Sequence, residues 1–327
     1  MDGGAGEPAR RPYHGVVRIV SLLPTGTEIL LALGAGDELV GISHDNLHIA
    51  AVRHLPVVSQ LTYEDTAMTS EEIDRLVTRT YAAGGSIYRL DEARLRALRP
   101  DLLIAQDLCE VCAVTPNDFQ ALLTRLDPQP RVLSLRAGTL SSAFEDMRRV
   151  AWEVQRTGGG ERLLARLTGQ IDAVAARVAG AKARHVFCLE WPRPLYNSGH
   201  WTPELAALAG GRDDLAAAGA KSRPIAWDRL RDYDPEIIVA MVCGFERERA
   251  SRELATVWDY PGFDRMRAVR ENNVWVVDGP RYFSQAGPGM VDGLKILAKI
   301  FHPDRMGAPL PSEAVRLPPP ARSPAVL

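Results

Sequence analysis

Short β-branched runs alternate with segments of helical spacing along most of this chain, and that alternation limits the fold more than any other property of the sequence. Residues 18–23 (RIVSLL) read as a buried strand. Thr25 is placed to cap the helix that follows, Glu28 to complete a capping box and Gly34 to end it. Residues 39–42 (LVGI) supply a second strand. A helix is expected after Thr69, with Glu72 three residues on, ending before Gly84-Gly85; another covers 91–98 (DEARLRAL) and stops at Pro100. Strands at 101–105 (DLLIA) and 131–135 (RVLSL) flank a helix opened by Thr115-Pro116. After a helical stretch at 161–178 the same grammar returns, with strands at 186–189, 237–242 and 274–277 and helices at 203–208 and around 291–300. Such alternation predicts mostly parallel sheets covered on both faces.

The economical reading is an α/β protein of two lobes, 15–157 and 181–303, joined by one helix at 158–180; the alternative is a single doubly wound domain. The ends, 1–14 and 304–327, are rich in Pro, Ala, Gly and Arg without helical or strand period, and disorder is expected there. A formal net charge of -2 over 327 residues gives no basic excess to favour nucleic acid. No segment approaches the roughly 18 consecutive apolar residues of a membrane span. The opening MDGGAGEPARRPYHG lacks the apolar run of a signal peptide, so the chain as written is expected in the cytoplasm, or in the periplasm or outside the cell if translation starts upstream.

In parallel sheets, ligands bind outside the carboxyl ends of the strands, where helix N-termini point outward. The unusual residues of this chain fall at those ends. His44 follows LVGI; Cys109 and Cys112 follow DLLIA; Trp191, Tyr196, His200 and Trp201 follow the strand at 186–189. Phe245 follows the strand at 237–242, and Tyr282 and Phe283 follow the strand at 274–277. With Tyr88 and Trp227, these residues suit a large, flat, partly apolar ligand held between the lobes. Trp152 and Trp275, inside elements, are assigned to packing.

Three strings carry a resemblance: SIYRLDEARLRALRPDLLIAQDLCEVCAV, LEWPRPLYNSGHWTPELAALAGG and VDGPRYFSQAGPGMVDGL. Together with RIVSLLPTGTEILLALG and LVGISH, they resemble the cobalamin-binding members of the class III, helical-backbone substrate-binding proteins of ABC importers, over roughly 16–303. The resemblance implies two Rossmann-like lobes, a rigid connecting helix and a corrinoid, cobalamin or a relative, held between them without catalysis. It also implies a monomer that delivers its ligand to an ABC permease through one acid on each lobe, with Glu92 and Asp228 as the candidates. The chain departs from the pattern in lacking a signal peptide, which leaves an intracellular corrinoid carrier open, and in the segment His44-Asp45-Asn46. A haem or iron-chelate binder is the alternative on the same fold.

Cys109 and Cys112 form a lone Cys-x-x-Cys pair. Structural zinc wants four ligands, for which Cys243 and His44 are distant partners; a dithiol redox site wants one thiol at a helix N-terminus. The third reading, packing or direct ligand contact, is favoured by the loop's position. A cytosolic dithiol or metal-dependent enzyme using these thiols is the alternative from a different class. Cys188, inside a strand, is assigned to the core. The sequence has no GxSxG, P-loop, HExxH or strand-linked GxGxxG.

Overall fold

A computed structural model describes residues 17–64, 67–106 and 116–317. The first lobe runs β1 (Ile19–Ser21), α1 (Pro24–Ala32), β2 (Leu39–Ile42), β3 (Ser59–Leu61), α2 (Ser70–Ala82), β4 (Tyr88–Leu90), α3 (Glu92–Leu98), β5 (Leu102–Gln106), α4 (Pro116–Thr124), β6 (Arg131–Leu135) and α5 (Leu140–Glu153). A long helix, α6 (Thr157–Val178), leads to the second lobe. That lobe runs β7 (Arg184–Trp191), β8 (Tyr196–Asn197), α7 (Thr202–Leu208), β9 (Gly211–Arg212), α8 (Trp227–Tyr233), β10 (Ile237–Ala240), α9 (Arg247–Glu253), α10 (Arg267–Arg270), β11 (Val274–Val277), α11 (Gly279–Tyr282) and α12 (Met290–Phe301). It ends with α13 (Pro303–Met306) and β12 (Ala314–Arg316).

The first sheet has the order β2-β1-β5-β6, all parallel. In the second, β7, β10 and β11 are parallel neighbours, β9 joins β7 in parallel, and β8 and β12 close the edges antiparallel. Both central layers are covered on two faces, which is why β1 and β10 are buried along their whole length and read as unbroken apolar runs. A small antiparallel ladder, β3 with β4, stands apart from the main sheet.

Helix α6 spans roughly 33 Å at 1.5 Å per residue. Its buried stripe, Leu163, Leu164, Leu167, Ile171, Val174 and Val178, belongs to one hydrophobic cluster that includes Ile19 and Leu102 of the first sheet and Val186 and Ile237 of the second. The connection is therefore a packed spine, and the two lobes share one hydrophobic cluster through it.

Three local expectations differ. Thr25 does not cap α1: Leu23 takes that place with Pro24 next, and the Thr25 hydroxyl is used elsewhere. The connecting helix begins at Thr157, so the three glycines 158–160 lie inside it. The tail expected to be disordered from 304 is ordered to 317: β12 pairs with β11, Ala314 and Leu317 are buried, Glu313 accepts from Lys299 at 2.6 Å, and Arg316 lies 4.7 Å over the Trp275 ring. Residues 1–14 and 318–327 lie outside the described residues.

Candidate ligand cleft between the lobes

The segments that follow β1 and β11 touch across the lobes. Pro24 opens α1 directly after β1, so the first turn of α1 is presented toward the other lobe. There the Thr25 hydroxyl donates to Gln285 Oε1 at 2.8 Å, a bond between residues 260 apart in sequence. One turn on, Glu28 is packed against Gly287 and Gly289, so closely that a Cβ on Gly287 would overlap its carboxylate. Burial pushes the Glu28 carboxyl up to about 7, against the pull of a backbone hydrogen bond from Gly289; Asp292 adds to the rise and Arg281 opposes it. Glu28 was read from sequence only as half of a capping box.

A second junction forms where β7 ends. Trp191 Nε1 donates to the Ser70 carbonyl at 3.2 Å and to the Arg193 carbonyl at 2.9 Å. Ser70 N donates to Glu253 Oε2 at 2.9 Å, Arg249 to the Met68 carbonyl at 3.3 Å, and the Tyr196 hydroxyl to Asp74 at 3.1 Å. Ile73 of α2 is 6% exposed and belongs to the hydrophobic cluster of the second lobe, where Met68, Val77 and Tyr63 pack beside it. Helix α2, a first-lobe element capped by a Thr69 and Glu72 box, thus seats its apolar stripe on the opposite lobe. The expected helix after Thr69 is present; its destination was not expected.

The remaining candidates divide by what holds them. On the first lobe, His44 Nδ1 is 2.7 Å from Ser59 Oγ, its Nε2 is 3.2 Å from Asp45, and its ring lies 5.3 Å from that of Tyr88. On the second, Trp191 and Phe245 rings are 5.1 Å apart, and the Arg249 guanidinium lies 3.9 Å over Phe245. His200 adopts a left-handed backbone (φ 54), and burial, with Lys221 second, lowers its pKa. Its turn is fixed by Glu190, which accepts from Ser222 Oγ at 2.8 Å and Gly199 N at 3.2 Å and whose own carboxyl is raised by burial. Gly199 is required there, because a Cβ would overlap the backbone nitrogen of Ser222. Glu190, the penultimate residue of β7, and Gln285, three residues past α11, are contributors that the sequence reading did not select.

Several of the expected ligand contacts are buried among core side chains. Trp201, Tyr282 and Phe283 are buried in the shared cluster, and Phe245 in that of the second lobe. Trp227 stacks on Tyr260 at 4.9 Å and donates to the Pro261 carbonyl. Cys109 and Cys112 lie outside the described residues. Cys243 is exposed and Cys188 is buried, its thiol pushed well up by that burial. Among the described residues, no group of three or more His, Cys, Asp or Glu side chains is placed to hold a metal ion. A cavity of about 490 Å³ follows α2 and the turn at Pro194, and none of the expected ligand contacts lines it.

The two acids expected to dock a permease are unlike. Glu92 is held between Arg96 at 2.6 Å and Arg125 at 3.0 Å, and the Arg125 hydrogen bond lowers its pKa. Asp228 is 70% exposed and pairs with Arg231 at 2.7 Å.

A family model described as periplasmic binding protein matches residues 19–280. A Bacillus subtilis (strain 168) protein named as an uncharacterized ABC transporter substrate-binding lipoprotein, YvrC, is 21% identical over 300 residues, 88% of this chain and 80% of that one. The periplasmic vitamin B12 binding protein BtuF of Vibrio cholerae superposes with a TM-score of 0.62 at 17% identity, over 87% of this chain and 96% of its own. The periplasmic heme binding protein HutB of Vibrio cholerae does so with a TM-score of 0.66 at 18% identity, over 88% and 100%.

Proposed function

The chain belongs to the periplasmic binding protein family, and from that premise we propose that it is the ligand-binding component of an ABC importer, or an intracellular carrier built on the same fold, that holds a corrinoid between its lobes without changing it chemically. The observation that supports this reading is the presence of partly exposed rings near strand ends on each lobe, His44 with Tyr88 on the first and Trp191 at the end of β7 on the second. Aromatic faces and edges suit a broad, rigid, partly apolar macrocycle, whose polar rim is met by side chains such as His200. Cobalamin is the ligand of choice because of the three sequence strings that resemble cobalamin-binding members. Haem fits the same geometry, and structural relatives include binders of each by name.

The test is a visible-spectrum titration of the purified full chain with cyanocobalamin and, separately, haemin, followed by competition. A spectral shift with cobalamin and a melting point that climbs with its logarithm support the proposal. Preference for haemin reassigns the ligand, and inertness toward both removes the tetrapyrrole reading. Cell fractionation of the native host distinguishes an exported importer component from an intracellular carrier.

A further inference from the structure

Helix α2 leaves and re-enters the first lobe through one narrow base. β3 and β4 pair antiparallel from Ser59 opposite Leu90 to Leu61 opposite Tyr88, and Thr62 N extends the ladder to the Ile87 carbonyl. Beyond that base, the apolar side chains Met68, Ile73 and Val77 are spent on the second lobe. What they cover matters: Trp191 and Tyr196, at the end of β7 and in its edge partner β8, are both engaged by α2, through Ser70 and Asp74. These are strand ends of the kind at which a ligand of a parallel sheet binds.

We infer that α2 is a strap that undocks from the second lobe as a unit, pivoting on the β3 and β4 ladder, and that this undocking admits and releases the ligand at Trp191 and Tyr196. The inference rests on the ligand reading above for its second half only. An interface made of one helix face on a two-stranded base opens at lower cost than the shared core through α6, since local opening follows the smallest cooperative unit. Closure over Trp191 completes the enclosure of the cleft on that side. The competing possibility is that α2 is a permanent weld between the lobes, opening only when both unfold.

Two variants test it, neither altering a residue placed in the ligand site. Ile73→Ala leaves a void under the strap, and Asp74→Ala removes the acceptor of the Tyr196 hydroxyl while leaving the surface free to fold. Amide hydrogen exchange of residues 70–82 is expected to quicken roughly ten-fold or more in Ile73→Ala, and less in Asp74→Ala, with β5 and β10 unchanged. Acrylamide quenching of tryptophan fluorescence should rise in both and lose that rise when Trp191→Phe is added. Dissociation of cyanocobalamin, and of haemin if that is what binds, should accelerate in the same order. Exchange of 70–82 that tracks β5 and β10 in every variant would establish a weld and overturn the strap. Faster exchange with unaltered ligand dissociation would overturn its role in ligand passage. If neither ligand binds, the ligand reading fails by itself, and exchange and quenching still decide whether the strap opens over Trp191.

Discussion

The seam made by α2 and the seam made by α1 join the same two lobes with opposite chemistry. The α2 seam is an apolar stripe centred on Ile73, fringed by bonds to backbone carbonyls and by two carboxylates, Asp74 accepting from the Tyr196 hydroxyl and Glu253 from Ser70 N. The α1 seam is a buried carboxylate pressed on glycines, with one hydroxyl bond beside it. The first depends mainly on area and fit. In the second, a charge is costly where it forms, so the closeness of the lobes there is tied to a proton.

The largest effect that separates the seams is expected from Ile73→Ala, which should cost about 2–4 kcal/mol in denaturant unfolding, constant between pH 5 and 8. Glu28→Gln should do the reverse. The Glu28 carboxyl stands at about 7 in the folded chain against 4.5 for the ordinary group, so the unfolded chain loses this proton first. Native stability is then full below pH 4.5 and declines as pH rises toward 7, by up to about 3 kcal/mol. The Gln variant should lack that decline: equal to the native chain near pH 4, more stable at pH 8, as read by paired urea titrations. An unchanged pH slope would mean that the α1 seam is not proton-linked.

Smaller contrasts follow from single hydrogen bonds. Tyr196→Phe should weaken the α2 seam by about 1 kcal/mol in thermal unfolding, and Thr25→Val the α1 seam by a similar or smaller amount. Asp228→Asn, on an exposed carboxylate outside both seams, should change stability by less than about 0.5 kcal/mol. Any larger change there would show that the two-seam division leaves out a third contact.

The strands were legible because a strand covered on both faces must be apolar throughout, as at Ile237, Ile238 and Val239. The lobes and their connecting helix followed from the order of those runs. The candidate site was legible only as places along the chain. Strand ends located Trp191 and His44 as partly exposed side chains, but Trp201, Tyr282 and Phe283 look the same in sequence, and only packing sorts them inward. Thr25 carried a local capping signal that a tertiary partner, Gln285, overrode. The β12 strand, three residues long, has too little period to announce itself and is fixed by Trp275 and Val277 some forty positions earlier. Thr69 and Glu72 announced the helix that carries Ile73 and Val77; a capping signal carries no statement of which lobe the helix will cover.

The seating of α2 also sets an order of events during synthesis. Ser70 waits for Trp191, 121 residues later, and for Glu253, 183 residues later. At 5–20 residues per second the ribosome needs roughly 6–25 s to reach even the first of these. Through that interval the nascent first lobe carries Met68, Ile73 and Val77 with no surface yet made to receive them, so the helix that ends as a bond between lobes begins as the sticky part of an unfinished chain.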